Sequence, residues 1–394
     1  MSAQMAYVVL KRGRDGRARA RHPWVYAGEI DTVAGDPAPG DVVDVVDHRK
    51  RFLGRGFINP VSSITVRILT WVEEEVDEPF FYRKLTAARN YRRAVGAEAP
   101  CYRVVFSDGD MLSSLIVDRY EDVCVVQTLA LGMDARKTMI AGVLRDILGV
   151  TRLYERNDSR ARELEGLPQS AGFLGGEFPT EFWAQENGLS FWVDVAKGQK
   201  TGLFLDQREN HKAVAPWCDG ARVLDAFCYT GGFAIHAAAF GAREVVALDS
   251  SAAALETARL NAEKNGFGER MSFIEGNAFD LLRGFEAQGE RFDLVVVDPP
   301  AFAPGKHAVG AAYRGYKEVN LRAMKILAPG GVLVTCSCSY HMRPEMFTAM
   351  LADAAADAGR EARLVELRSQ ARDHPVLLGV EETHYLKCAV VRAV

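Results

Sequence analysis

The chain has 394 residues, which exceeds the usual size of a single compact core and indicates two or three domains. Its 48% hydrophobic and 25% charged residues are typical of globular proteins, and no stretch approaches the roughly 18 apolar residues that a membrane helix requires. Residues 1–11 lack a secretory signal pattern, and the seven scattered cysteines do not form a disulfide framework. We therefore expect a cytoplasmic protein without a membrane partner.

The net charge of −4 is unevenly distributed along the chain. Residues 1–72 contain 11 lysines and arginines against 7 acidic residues, a net charge of +4, which leaves −8 for the remainder. This segment has β-rich stretches at Val42–Val46 and Ile64–Leu69, and it carries Arg12, Arg14 and Trp24. Because basic side chains neutralise phosphates and aromatic rings stack on bases, one interpretation is a β module that binds nucleic acid. The other is a solvated loop that leads into a core Trp24.

Composition divides the rest of the chain at an acidic linker and at a change of pattern. Residues 73–190, which begin with the linker at 73–79, predict a middle α/β domain. Residues 191–394 form the third predicted domain. From Arg222 onward, short apolar strands alternate with amphipathic helices, which predicts a doubly wound, Rossmann-like α/β fold with ligands at the carboxyl ends of its strands. The predicted strands are Arg222–Phe227, Glu244–Leu248, Met271–Glu275, Asp293–Val297 and Val332–Cys336.

The ends of the first two strands indicate a nucleoside-containing cofactor. Asp225 is followed by two adjacent glycines, and Asp249 comes 18 residues after Gly231, where a carboxylate can bind ribose hydroxyls. Folds that bind NAD and folds that bind S-adenosylmethionine share this pair. Two features favour S-adenosylmethionine: the third glycine of the NAD motif is missing, and the Asp225 carboxylate suits a cationic ligand. The predicted cofactor contacts are Asp225, Phe227, Tyr229, Thr230, Gly231, Gly232, Asp249, Ser250, Asn277 and Asp298, together with Gln207 and Arg208 from the preceding polar segment.

These features also have purely structural interpretations, which the sequence leaves open. The glycine pair is compatible with a tight turn in which Asp249 caps a helix. Asn277 is as suitable for a helix N-cap as for an adenine contact. The polar segment that contains Gln207 and Arg208 is as suitable for a helix start capped by Asp206 as for covering the cofactor.

The fourth strand ends in Asp298-Pro299-Pro300-Ala301-Phe302. Two prolines make a rigid, extended turn without N–H groups. Asp298 can then bind a base edge, and Pro299, Pro300 and Phe302 can contact the base face. This motif predicts methylation of a planar nitrogenous target.

The fifth strand ends in two cysteines, Cys336 and Cys338, within a serine-rich turn. The C5 carbon of a pyrimidine attacks a methyl group only after a thiolate has added to C6, and a cysteine at this strand end suits that chemistry. A buried, purely hydrophobic cysteine is the alternative. A metal site is not expected, because C-x-C without a second Cys/His pair provides too few ligands.

The motifs taken together resemble those of the bacterial 23S ribosomal RNA cytosine-C5 methyltransferases that have an N-terminal PUA domain, and the similarity covers nearly the whole chain. It implies a class I methyltransferase domain, S-adenosylmethionine as donor, a cytosine in large-subunit ribosomal RNA as target, and Cys338 as the nucleophile. We expect Asp298 to act beside Cys338 by holding the base edge. The motifs that carry the resemblance are His22–Val25, Lys200–Asn210, Asp225–Phe233, Asp298–Phe302, Ser337–Ser339, Asp373–Pro375 and Tyr385–Lys387.

Two departures keep alternatives open. A second cysteine beside the proline turn, common in the wider superfamily, is missing here, so the base that removes the C5 proton is unassigned. Cys336 occupies the position of the Thr-Cys-Ser nucleophile of other members. Methylation of a guanine at N7 or its exocyclic amine, an RNA-binding assembly factor with a vestigial cofactor pocket, and a dinucleotide-dependent oxidoreductase are the competing functions. A homodimer is one candidate assembly.

Overall fold

The structure is a computed structural model and describes residues 5–302, 305 and 308–394. The chain forms two compact units. Unit 1 comprises Met1–Gln185, Val193–Leu205 and Arg372–Thr383, and unit 2 comprises Glu186–Trp192, Asp206–Ala371 and His384–Val394. The predicted three-domain boundaries at 72 and 190 stay predictions. Within the described ranges, no helix is both long and apolar enough to cross a membrane.

The first part of unit 1 is the predicted β module. Alternating valines and isoleucines, among them Val43, Val45 and Ile68, point into a common core. The strands pair in the order β2-β6-β5-β4-β1-β3. The elements are β1 (Tyr7–Leu10), α1 (Gly16–Arg19), β2 (Trp24–Val25), β3 (Ile30–Ala34), β4 (Val42–Val46), β5 (Phe52–Ile58) and β6 (Val66–Thr70).

The second part of unit 1 is the predicted middle α/β fold. Its first helix begins after Asp77, whose side chain accepts a hydrogen bond from the Phe80 N, and it buries Phe81 and Leu85 on one face. The elements are α2 (Glu78–Ala94), β7 (Cys101–Phe106), β8 (Leu115–Tyr120), β9 (Val123–Thr128), α3 (Leu131–Asp134), α4 (Lys137–Leu148), β10 (Arg152–Asn157) and β11 (Ser170–Phe173), with the strands paired in the order β11-β10-β9-β8-β7.

A hairpin follows, made of β12 (Glu181–Glu186) and β13 (Leu189–Asp194). Its turn residues Asn187 and Gly188 have φ of 55° and 84°. Positive φ at both positions is the signature of a two-residue hairpin turn, which the sequence Asn-Gly favours.

Unit 2 contains the predicted doubly wound sheet, ordered β16-β15-β14-β17-β18-β20-β19. Neighbouring strands are parallel except β20, which runs antiparallel to both β18 and β19. The elements are α5 (Arg208–Ala213), β14 (Arg222–Ala226), α6 (Gly232–Ala239), β15 (Glu244–Asp249), α7 (Ala252–Lys264), β16 (Met271–Glu275), α8 (Ala278–Gln288), β17 (Phe292–Val297), α9 (Val309–Lys325), β18 (Leu327–Ser337), α10 (Pro344–Asp357), β19 (Ala362–Arg368) and β20 (Lys387–Ala393).

The strand order places the topological switch point between β14 and β17, which start neighbouring halves of the sheet. The chain runs from β14 to β15 and β16 on one side and then crosses to β17 and β18 on the other. The carboxyl ends of β14, β15, β17 and β18 therefore border a crevice, where open α/β sheets bind ligands. The five predicted strands are confirmed. The sequence did not predict α10, β19 or β20.

Candidate active site

The turn after β14 is the centre of the candidate site. Asp225 Oδ2 accepts a hydrogen bond from the Ala234 N at 2.9 Å. Its other carboxylate oxygen, Oδ1, is buried and has no hydrogen-bond partner among the described residues. Burial and, next, the charge of Asp298 together raise the pKa of Asp225 to about 7. A buried acceptor without a partner costs free energy, so this oxygen marks a place where a ligand donor fits.

The backbone beyond Asp225 enters the left-handed region at Phe227, Tyr229 and Gly231, with φ of 72°, 49° and 89°. Such conformations are uncommon for residues other than glycine and occur often at ligand sites. The Tyr229 N donates a hydrogen bond of 2.9 Å to Asp249 Oδ2, which fixes the turn to the end of β15. The turn therefore combines a glycine N-cap for α6 with two strained side-chain-bearing residues.

The remaining residues of this turn are packed rather than exposed. Thr230 is buried, and its carbonyl oxygen accepts a hydrogen bond from Asn261 Nδ2 at 3.0 Å. A Cβ on Gly232 would lie 2.8 Å from the His211 ring, so only glycine allows this close approach. Thr230 and Gly232 stay predicted cofactor contacts.

The end of β15 carries the predicted ribose ligand. Asp249 Oδ1 accepts a hydrogen bond of 2.9 Å from the Ser251 N, so each carboxylate oxygen binds one backbone amide and retains acceptor capacity. The neighbouring Ser250 is exposed. Asn277 is the N-cap of α8 and accepts a hydrogen bond of 2.9 Å from the Phe279 N. The capping interpretation of Asn277 is confirmed, and its adenine contact stays a prediction.

A chain of hydrogen bonds holds Asp298 at the end of β17. Gln207 Nε2 donates to Asp298 Oδ2 at 2.9 Å, and Gln207 Oε1 accepts from Asn210 Nδ2 at 2.7 Å. Arg368 Nε then donates to Asn210 Oδ1 at 2.9 Å. The structure thus brings the predicted residues Gln207 and Asp298 together. Arg208, the residue after Gln207, is buried and is the first residue of α5.

The segment before α5 contradicts one structural alternative. Asp206 does not cap α5, whose N-cap residue is Gln207. Instead, Asp206 Oδ2 accepts a hydrogen bond of 2.6 Å from the Tyr385 hydroxyl, and the Asp206 carbonyl accepts one from the Ala371 N. Its carboxylate therefore ties this segment to the chain before β20.

The proline turn after Asp298 begins with a buried Pro299 and an exposed Pro300. Phe302 is half-buried, and its ring centroid lies 4.6 Å from that of Tyr316 and 6.0 Å from that of Phe279. Packing against these aromatic neighbours is therefore sufficient to explain an aromatic residue at position 302, even if it does not stack on a nucleic-acid base. Its stacking on a base stays a prediction.

The two cysteines of the fifth strand differ in environment. Cys336 is fully buried and lies opposite Cys388 in the antiparallel β18–β20 pair. Burial raises the pKa of the Cys336 thiol well above its usual value, and a hydrogen bond with Cys388 adds to this. Cys338 is partly exposed and lies beyond Ser337, where β18 ends. Side chains two residues apart share a face only within a regular strand, so the pair need not point the same way.

A buried cluster that the sequence did not reveal lies beneath the glycine turn. His211 Nδ1 lies 2.6 Å from Glu186 Oε1, and His236 Nδ1 lies 2.8 Å from the Gly232 carbonyl oxygen. Burial opposes protonation of His211, but the Glu186 carboxylate outweighs it and raises the His211 pKa. Burial and the His211 charge lower the pKa of His236 to about 4.

The same three side chains have donor atoms within 4.8 Å of one another, a spacing compatible with a metal ion. However, the Asn187 amide also lies 3.0 Å from His236 Nε2, so both nitrogens of that ring have hydrogen-bonding partners. Hydrogen bonding therefore accounts for the cluster of Glu186, His211 and His236 without an ion. No composition or spacing rule links residues 186, 211 and 236.

The predicted nucleic-acid contacts of the β module lie in unit 1. Arg12 and Arg14 are exposed. Trp24 is partly buried, its indole N–H donates to Asp108 Oδ1 at 3.1 Å, and the Arg67 guanidinium lies 5.9 Å from its ring. The partners of Trp24 fit the core interpretation, and its contact with a base stays a prediction.

A model of the S-adenosylmethionine-dependent methyltransferase family matches residues 161–392, more than half of the chain. The chain belongs to this methyltransferase family. A PUA-like domain model matches residues 8–71, which confirms the predicted character of the β module. The sheet of unit 2 is thus that of a class I methyltransferase, and S-adenosylmethionine is its cofactor.

Several relatives of this methyltransferase are similar over almost their full length. Ribosomal RNA large subunit methyltransferase I of Aeromonas salmonicida is 42% identical, with 98% of this chain and 99% of that protein covered. The protein of the same name from Shewanella amazonensis is also 42% identical, with 98% of each covered. The family resemblance drawn from the motifs is therefore confirmed.

Solved structures show the same fold at low sequence identity. A methyltransferase in complex with SAH superposes with a TM-score of 0.83 at 19% identity, covering 98% of this chain and 99% of that one. A SAM-dependent methyltransferase from Streptococcus mutans has a TM-score of 0.82, also at 19% identity and with the same coverage.

The residues of this methyltransferase fit the cofactor. The partnerless Asp225 Oδ1 is a buried acceptor suited to the ammonium of a methionine group, and Asp249 retains acceptor capacity for ribose hydroxyls. The strained glycine turn between them allows close backbone approach. Asp225 and Asp249 are therefore the residues that we expect to hold the two polar ends of the cofactor.

We expect Asp249→Ala to weaken S-adenosylmethionine binding by about one to a few kcal/mol, because it removes charged hydrogen bonds. Asp249→Asn, which keeps the shape and one acceptor oxygen, should lose less. Calorimetric titration measures both affinities. Wild-type affinity in Asp249→Ala would refute the ribose assignment.

S-adenosylmethionine affinity should fall as the pH drops from 8 to 6. With a pKa of about 7 in the free protein, Asp225 is ionised above that pH and protonated below it, and only the ionised form attracts a cationic ligand. Affinity should therefore approach its full value towards pH 8 and decline progressively below pH 7. Titrations at several pH values check this, and Asp225→Asn should bind weakly with a flatter pH dependence. A wild-type profile that is flat from pH 6 to 8 would contradict the assignment.

Proposed function

We propose that this methyltransferase forms 5-methylcytidine in large-subunit ribosomal RNA through a covalent bond between Cys338 and the base. The observation that carries the proposal is the position of Cys338, a partly exposed residue just beyond β18, next to β17, which is followed directly by Asp298. Val297 pairs with Thr335 in these parallel strands, so Asp298 and the cysteines follow at the same edge of the sheet.

The chemistry assigns each group a distinct role. The Cys338 thiolate forms a bond to C6 of cytosine, which makes C5 nucleophilic. Asp298, held by Gln207, binds the N3/N4 edge and stabilises the adduct. S-adenosylmethionine supplies the electrophilic methyl group. After C5 has been methylated, loss of its proton expels the Cys338 thiolate and restores the aromatic base.

The ribosomal substrate is inferred from the relatives. Proteins 42% identical to this chain are named ribosomal RNA large subunit methyltransferase I, and the match extends over both the PUA-like module and the methyltransferase domain. All seven cysteines lie in the described part of the chain and none forms a disulfide, which supports a reducing, cytoplasmic location.

The decisive experiment is methylation of 23S ribosomal RNA in vitro with methyl-labelled S-adenosylmethionine, followed by mass spectrometry of the nucleosides. Label in 5-methylcytidine is expected. Label in a methylated guanosine would establish the competing guanine activity instead. Total RNA from cells with and without the gene should show the same difference at one nucleotide.

The exposed Arg12 and Arg14 should contribute RNA affinity without affecting the cofactor. Their double substitution by alanine should raise the KM for RNA several-fold and reduce the slope of log affinity against log salt by about 0.9 per lost phosphate contact. A double alanine variant of the exposed Arg152 and Arg259 removes the same charge and should change KM less. Equal effects of the two variants would contradict a specific role for the module.

Point substitutions test the module better than its deletion. The Glu165 carboxylate of the middle fold accepts hydrogen bonds from Asn59 at 2.8 Å, Ser62 at 2.7 Å and Arg67 at 2.9 Å. Removing residues 1–72 would leave this buried acid without these partners and destabilise the rest of unit 1.

A further inference from the structure

Lys387 is a buried cation to which the reaction described above gives no role. It is the first residue of β20 and lies opposite Ser337, the last residue of β18. Only 2% of its surface is exposed. Because a buried ammonium costs free energy unless it is hydrogen-bonded or paired with a charge, this position requires an explanation.

The ammonium is anchored one residue from the proposed nucleophile. Lys387 Nζ donates hydrogen bonds of 2.6 Å to the Ser339 carbonyl oxygen and of 2.7 Å to the Tyr385 carbonyl oxygen. Ser339 directly follows Cys338. Both acceptors are neutral, and an ammonium has three donors, so these bonds leave one donor and the whole positive charge for an anionic neighbour.

The ionisable groups around this ammonium come from several elements. The Tyr385 hydroxyl binds the Asp206 carboxylate, and the Tyr316 hydroxyl lies 2.9 Å from Ser339 Oγ. Burial and then the charge of Lys387 lower the pKa of His384. The groups concerned are Cys338 and Cys336 on the β18 side, Cys388 on β20, His384 and Tyr385 before it, Tyr316 on α9, and Asp206 before α5.

Among these groups, the Cys338 thiol is the one that offsets the burial of Lys387. Burial lowers the pKa of Lys387 to about 8, and the negative charge of Cys338 acts in the opposite direction. Opposite charges favour each other's ionised form, so the same interaction favours the Cys338 thiolate. Cys336 lacks this help, since burial and Cys388 both disfavour its thiolate.

We propose that Lys387 is a positioning residue whose ammonium stabilises the thiolate of Cys338 as an ion pair. The S–H bond breaks, its electron pair stays on sulfur, the proton passes to water, and Lys387 stays an ammonium throughout. The thiolate is then ready to form its bond to C6. The role of this thiolate as a nucleophile rests on the proposed function, whereas the ion pair itself can be measured without RNA or methyl transfer.

The experiment is pH-dependent alkylation of the full-length protein with iodoacetamide, read at each cysteine by peptide mass spectrometry. In the wild type, Cys338 alkylation should have its midpoint below pH 8.5, the ordinary value for a thiol. In Lys387→Met the midpoint should rise by about one unit or more, which slows alkylation at pH 7 about tenfold. Lys387→Arg, which keeps the charge, should restore a low midpoint.

Cys336 is the internal control, because a fully buried thiol should react slowly in every variant. A wild-type Cys338 midpoint at or above 8.5 would overturn the proposal without any variant, so a misfolded Lys387→Met does not leave it undecided. Equal midpoints in wild type and a folded Lys387→Met would also overturn it.

The proposed function is tested separately by covalent trapping on 5-fluorocytosine RNA. If the wild type is trapped but Lys387→Met leaves the midpoint of Cys338 alkylation unchanged, the ion pair is rejected and the proposed reaction is retained. If Lys387→Met raises the midpoint but the wild type is not trapped, the ion pair is retained and the proposed reaction is rejected. If both hold, the rate of trapping by Lys387→Met should be low at pH 7 and recover towards that of wild type at pH 9.5, which loss of structure would not produce.

Discussion

Cys338→Ala is expected to abolish both methyl transfer and covalent trapping. Without the thiolate, C5 of cytosine is not nucleophilic enough to accept a methyl group, so the turnover rate should fall by at least roughly 10³-fold, as for other lost nucleophiles. The measurement is transfer of labelled methyl to ribosomal RNA, together with denaturing electrophoresis of the complex with 5-fluorocytosine RNA. Fluorine at C5 blocks the proton loss that normally releases the enzyme.

Cys336→Ala is the matched control at the same strand end. Cys336 is fully buried against Cys388, so its truncation should reduce the free energy of unfolding by about 1 kcal/mol or somewhat more and leave trapping intact. The reverse pattern would assign the nucleophile to Cys336. Active Cys338→Ala without any adduct would exclude the C5 mechanism and favour guanine methylation.

Much of the site could be predicted because its residues follow apolar strands. In a doubly wound sheet, the residue after each buried run lies at the ligand-binding edge, so Asp225, Asp249, Asp298 and Cys336 could be placed there from periodicity alone. The parallel registers of β14, β15, β17 and β18 confirm this placement. Local pattern and global topology agree at these positions.

Contacts between distant parts of the chain could not be predicted in this way. Lys387 reaches the end of β18 only because β20 returns antiparallel after a 50-residue excursion, from Ser337 to Lys387. His211 meets Glu186 because residues Glu186–Trp192 of the hairpin belong to unit 2. A single sequence carries no signal for such pairings, since neither residue has a distinctive local pattern.

The sequence also could not decide between two roles that suit the same side chain. An aromatic residue after a proline turn suits either base stacking or packing, and Phe302 has Tyr316 as a packing partner. Asn277 suits either a cap or an adenine contact, and the structure shows the cap. The helix α10 was detectable in principle, because Pro344 at its first position and the alanine-rich sequence that follows favour a helix.

Asp298→Asn should lower the turnover rate by roughly 10²- to 10³-fold, the usual cost of losing a pre-organised charged group at a transition state. The substitution preserves the size of the side chain and an acceptor for Gln207, so folding should be unaffected. Since Asp298 was also predicted as a cofactor contact, a loss of S-adenosylmethionine affinity up to about 1 kcal/mol is compatible. Single-turnover kinetics at saturating cofactor separate the two effects.

Asp298→Asn should also change the pH dependence of cofactor binding. If Asp298 acted only by binding the base, this substitution would leave that pH dependence unchanged. The Asp298 charge raises the pKa of Asp225, so its neutralisation should lower that pKa and shift the loss of S-adenosylmethionine affinity to lower pH. Gln207→Ala keeps the Asp298 charge but removes the hydrogen bond of 2.9 Å that orients it. This variant should reduce turnover with little shift of the binding profile. Identical binding profiles in wild type and Asp298→Asn would show that the two carboxylates are not coupled, and an active Asp298→Asn would remove Asp298 from the reaction.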